Sequence, residues 1–168
     1  SNVAAGKTYL PVTESVIFDE AHSIESIASM QLGFSIDHDF LLNLLQKFYV
    51  RGKYCITTNF KDNNLREDAI RSIELTAKES QIYFEKVRTL FKANETVRRI
   101  ITTGADGNKL IEQIKKLLDI LKKAEQDFDE DDLALEFEPA RNRLSAFCEA
   151  LVSFQELSCV NYVYWIER

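Results

Sequence analysis

The chain has 168 residues, 45% of them apolar and 29% charged, with five Gly, two Pro and a net charge of -6. That balance excludes a disordered polymer and points to a mainly helical globular chain. The acidic excess argues against coating nucleic acid by bulk electrostatics, although a local basic face can still hold a single strand.

Three scattered cysteines, at 55, 148 and 159, show no close pair of the kind that binds zinc or an iron-sulfur cluster, and they fit a reducing compartment. No apolar run approaches the ~20 residues of a membrane span, and residues 1–15 lack the apolar core of a signal peptide. The expected setting is therefore the cytoplasm, in a bacterium its cytoplasm or nucleoid, with no membrane partner.

In chain order, Ala4-Ala5-Gly6-Lys7-Thr8 carries the Gly-Lys-Thr tail of a phosphate-binding loop. The rest of that motif is missing: Ser1 stands where the first glycine belongs, and Pro11 follows where a long helix should begin. Val16-Ile17-Phe18 then leads into Asp19-Glu20-Ala21-His22. An apolar strand buried on both faces delivers such a carboxylate pair to the crevice at its carboxyl end. There one acid can hold the magnesium of a nucleotide while the second orients the attacking water. By spacing, Asp19 is assigned to the metal and Glu20 to the water, with His22 on the following turn as a coupling residue. Residues 23–30 read as a short helix, and Gly33-Phe34-Ser35-Ile36 as an extended passage.

Asp37 or Asp39 is suited to cap the next helix, whose Phe40, Leu41, Leu44, Leu45 and Phe48 fall on one face. His38 reads as an exposed first-turn residue. Residues 51–64 carry turn formers without a period and read as a loop, ending in a helix capped near Asn63 or Asn64. From Leu65 to about Ile101 neither Gly nor Pro interrupts, and Ile73, Ala77, Ser80, Phe84, Val87 and Phe91 recur at four and three. The spacing predicts one long helix or two collinear ones with a coiled-coil-like seam.

Gly104 and Gly107 mark a turn, after which Leu110, Ile111, Ile114, Leu117, Leu118 and Leu121 define a third amphipathic helix. Residues 127–132 are an acidic, solvated link. Pro139 suits the first turn of a last helix with Ala140, Leu144, Phe147, Leu151 and Phe154 on its face. Past Leu157 the period changes to two, which predicts a strand over 160–166. The expected fold is mainly α, an antiparallel helical bundle with short strands at both chain ends.

The strand, the complete DEAH tetrapeptide and the following Ser23-Ile24-Glu25-Ser26-Ile27-Ala28 resemble, over residues 9–30, the motif II region of superfamily 2 DNA helicases of the XPD/DinG type. In that family a helical insertion, the arch domain, follows motif II, and an aromatic strand leads back to the first motor domain. Asn161-Tyr162-Val163-Tyr164-Trp165-Ile166-Glu167 looks like that return. The resemblance implies three parts: residues 1–36 from the first motor domain, an arch-like insertion over 37–157, and a returning strand over 158–168. The short strands would then belong to an α/β P-loop-type motor domain. It also implies a longer parent that uses ATP and Mg2+ to unwind single-stranded or forked DNA, and in many members a four-cysteine iron-sulfur cluster before motif II, a part of the parent absent from this chain.

Lysine and arginine neutralise phosphates, which nominates Arg88, Lys92 and Arg99, read as one helix face, and Arg141 and Arg143 on the last helix as strand contacts. The same residues lie among acids at ordinary helix-surface spacings. Trp165 and Tyr164 read as core. Two functions stay open on these residues: a segment of an ATP-driven DNA helicase with an inactive isolated fragment, and a non-catalytic helical module that binds protein or nucleic acid.

Overall fold

The computed structural model describes residues 34–102, 104–128, 133–158 and 162–168. The chain divides into two compact units, Ser1–Ser35 and Ile36–Arg168. Everything below concerns the second. The Gly-Lys-Thr segment, the DEAH strand and the short helix after it lie outside the described residues.

The first helix, α1 (His38–Phe48), begins where Asp37 is extended and its carboxylate accepts from the Phe40 N–H at 2.7 Å. Such a cap satisfies one of the orphan donors of the first turn. Leu41, Leu44, Leu45 and Phe48 are buried as their spacing predicts, while Phe40 stays half-exposed and stacks 6.2 Å from Phe147.

The stretch read as an aperiodic loop is anchored in the core. Gly52, at φ 76°, takes the left-handed turn after α1. A single 3₁₀ turn, Ile56–Asn59, then buries Ile56 and Thr57, and Phe60 follows into the interior. Asp62, one residue before the two asparagines expected to cap, accepts from the Asn64 N–H at 2.8 Å and starts α2 (Asn63–Thr89).

The buried line of α2 is Ala69, Ile73, Thr76, Ser80 and Tyr83, with Ala77, Phe84 and Val87 at its margin. Thr76 can sit inside because its hydroxyl donates to the Ser72 carbonyl at 2.7 Å. The seam read from the sequence is thus rotated by part of a turn. The expectation of helix up to Ile101 fails: α2 stops at Thr89, Asn94 takes φ 66°, and Val97–Ile100 is a strand, β1. Asn tolerates the left-handed region better than other non-glycine residues. The β-branched residues that follow suit a pleated ribbon.

Helix α3 (Asn108–Ala124) buries Leu110, Ile111, Ile114, Leu117 and Leu121. A wide, π-type turn, Leu133–Phe137, leads into α4 (Glu138–Glu156), with Pro139 in its first turn and Ala140, Leu144, Phe147 and Leu151 inside. Leu157, at φ 50°, ends α4 in the left-handed cap usually given to glycine. The last strand, β2 (Tyr164–Glu167), starts later than its alternation predicts and pairs antiparallel with β1.

Contacts run α1 to α2, α2 to α3, α3 to α4 and α4 back to α1, the closed ring of a four-helix bundle. At one end Gly107, opening α3, donates its N–H to Gln155 Oε1 of late α4 at 3.0 Å, and a Cβ there would lie 3.0 Å from the ring of Tyr83 in late α2. His38, opening α1, lies 5.1 Å from the ring of Phe84 in late α2. At the other end Lys61 N–H meets Asp127, Phe128 lies between Phe60 and Phe137, and Arg141 of early α4 pairs with Glu125 just past α3. The four helices therefore alternate in direction. The ribbon sits at the first end: Tyr164 packs edge-on against Phe154, 6.0 Å between centroids, and its hydroxyl is 3.4 Å from that of Ser153.

Candidate nucleic-acid interface

Four contacts tie the ribbon to the close of α2 and to itself. The Arg98 guanidinium donates to the Leu90 carbonyl, one of the acceptors a helix end leaves unmet. Arg168 donates its N–H to the Thr96 carbonyl at 3.0 Å, extending the ladder, and its guanidinium lies 4.8 Å from the centroid of Phe91. At an exposed site that cation–π contact contributes about 0.5–1 kcal/mol. Between them, Glu95 accepts from the Lys92 N–H at 2.8 Å and closes the turn.

Register fixes which side chains share a face. Val97 stands opposite Glu167, Arg98 opposite Ile166, Arg99 opposite Trp165 and Ile100 opposite Tyr164. Directly opposed residues emerge on the same side. Ile100 and Ile166 are buried on one face of the ribbon. On the other, Trp165 is 43% and Val97 57% exposed, with Arg99 and Glu167 also open to solvent. Beyond the paired residues Ile101 and Val163 are exposed as well.

The nominated contacts separate into two groups. Arg88 in the last turn of α2, Lys92 in the turn after it and Arg99 on β1 all belong to the ribbon end, and all three are exposed. They do not share a helix face, because the helix ends before two of them. Arg141 is committed elsewhere: it pairs with Glu125 at 2.6 Å and Glu138 at 3.9 Å, and lies 5.9 Å from the centroid of Phe137. Arg143 is exposed on α4. Trp165, expected in the core, is half open. Its exposure follows from the register: opposite exposed Arg99, it cannot share the face of Ile166.

Asp19, Glu20 and His22 lie outside the described residues, so the proposed magnesium and water roles have no geometry to add. Among the described residues no group of three or more His, Cys, Asp or Glu side chains is placed to hold a metal, and no helix is long and apolar enough to cross a membrane. Burial pushes the Cys148 thiol up, and nearby Lys115 offsets part of that push. Such a thiol is poorly suited to act as a nucleophile.

An open groove of about 460 Å³ between α2 and α3 is lined by Arg71, Lys116 and Lys123 but also by Asp68 and Asp119. Arg71 is already paired with Asp68 at 2.8 Å. The groove thus has little preference for an anion. Comparison with family models, with curated proteins and with solved structures finds no match.

Proposed function

We propose that the chain is a segment of an ATP-dependent DNA helicase of the XPD/DinG type, carrying motif II and an arch-like helical insertion that guides single-stranded DNA. The observation that carries this reading is the sequence Val16–His22, an apolar run ending in a complete DEAH box. The described geometry supports it in one respect. The start of α1 and the β1–β2 ribbon lie at the same end of the bundle, the neighbouring entry and exit that an insertion needs.

In this reading Asp19 would hold the magnesium of the nucleotide, whose charge would offset that developing on the phosphates. Glu20 would orient the attacking water, and His22 would couple the site to its neighbours. The bundle would position DNA without taking part in hydrolysis, since the described residues bring together no set of catalytic groups. The phosphate loop and the arginines of a partner motor domain would come from the rest of the parent, and the isolated chain would turn over no ATP.

The test is a Glu20→Gln variant of the full-length parent. Shape and metal site are kept while the water loses its orienting carboxylate, so DNA-stimulated turnover should fall about a hundredfold or more, with nucleotide binding retained. Undiminished turnover would sink the assignment and favour a helical interaction module.

A further inference from the structure

We propose that the open face of the β1–β2 ribbon is a stacking platform for single-stranded DNA, with Trp165 as the surface on which a base lies and Arg99, directly across the register, as its phosphate contact. The choice of DNA as occupant rests on the helicase reading above; the platform itself rests on the ribbon.

Three observations converge there. A two-stranded ribbon exposing a Trp, a Val at 97 and an Ile at 101 on one side presents an apolar face that none of the described helices covers. The two ribbon segments are themselves basic in an acidic chain: residues 88–101 and 162–168 hold five cations, Arg88, Lys92, Arg98, Arg99 and Arg168, against two carboxylates, Glu95 and Glu167, whereas the chain as a whole carries -6 and the helix ends at the same end of the bundle add Asp37, Asp39, Asp106 and Glu156. Of those carboxylates, Glu95 is engaged by the Lys92 N–H. Finally, Arg98 and Arg168 are used to brace the ribbon against Leu90 and Phe91. Bracing holds Trp165 in place, while Arg88, Lys92 and Arg99 stay open to solvent.

Exposed aromatic surface beside solvent-facing cations is the arrangement that binds single strands without reading their sequence: bases stack on the ring and phosphates follow the charges. A folded protein partner would need a broader apolar patch than one ribbon face. Glu167 closes the face beside Val97, which directs the strand toward Arg99 and away from that edge.

Trp165 is the single tryptophan of the chain, so its fluorescence reports this face alone. Titrating the 168-residue protein with oligothymidylate should quench that emission saturably, with an affinity that falls as salt rises. Inorganic polyphosphate, which has charge and no bases, should compete for the site without quenching. Arg99→Gln should weaken binding and lower the slope of log affinity against log salt by about 0.7, the share of one single-strand phosphate. With a labelled oligonucleotide read by anisotropy, Trp165→Ala should lose roughly tenfold or more in affinity, and Trp165→Phe less, because a smaller ring still stacks. Circular dichroism and melting should be the same in all three variants.

Oligonucleotide binding that leaves Trp165 emission unchanged, or no binding at all, would overturn the platform. So would blue-shifted emission that varies with protein concentration, the sign that a second copy covers the face. The helicase reading fails separately: a parent whose Glu20→Gln variant keeps its turnover loses that reading even if Trp165 is quenched, and lost turnover with an unquenched Trp165 spares it while removing the platform.

Discussion

The middle of the bundle and its ribbon end obey different rules. In the middle, α3 sends Leu110, Ile114, Leu117 and Leu121 into the core with almost no exposure, and charge is confined to the outside. At the ribbon end Trp165, Val97 and Ile101 face solvent beside Arg99, and two other arginines are spent on bracing. Where packing is complete a residue is explained by stability; where it stops, surface is left over for binding.

The sharpest way to break this contrast is to damage the middle. Leu117→Ala removes a fully buried side chain from the helix that touches both α2 and α4. It should cost about 2–5 kcal/mol by chemical denaturation, whereas Trp165→Phe should stay within about 0.5 kcal/mol. Equal losses at the two sites would erase the distinction.

A smaller effect comes from Tyr83, whose phenol is pushed up to about 12 by burial. The folded state keeps this proton while an unfolded chain releases it near 10, so the contribution is fully present below pH 10 and is lost as pH rises toward 12. Denaturation at pH 8 and pH 11 should show a fall in stability that Tyr83→Phe reduces. An identical fall in both proteins would remove Tyr83 from the account.

Smaller again is Asp37→Ala at the start of α1, which removes the carboxylate that accepts from Phe40. It should cost about 1 kcal/mol in the same denaturation assay without altering DNA affinity. A change in affinity there would mean that the whole end of the bundle, and not the ribbon face, sets binding.

What the sequence disclosed follows from the range of the forces involved. Local ones were legible: a cap at Asp37 or Asp39, the stripe of α1, the face of α3 and Pro139 at the start of α4 all depend on residues within a turn or two. The strand at Val97–Ile100 was hidden because its partner, Tyr164–Glu167, lies more than sixty residues on, while Phe91 prolonged the helical seam and no glycine broke it. Thr96, Val97, Ile100, Ile101 and Thr102 were the available signal, a β-branched cluster outweighed by a period count. Of the site, Arg88, Lys92 and Arg99 could be nominated from charge, but as one helix face. Trp165 could not, because alternation gives two faces without saying which one looks outward until the register with Arg99 is known.

The most direct test of the central claim, that the ribbon end is where the strand lies, is photocrosslinking of the 168-residue protein to a short oligonucleotide carrying 5-iododeoxyuridine, with the adduct mapped by mass spectrometry. The account predicts adducts in the peptide containing Trp165, lost on competition with unlabelled oligothymidylate. Adducts confined to the α2–α3 groove or to Arg141 and Arg143 on α4 would contradict it.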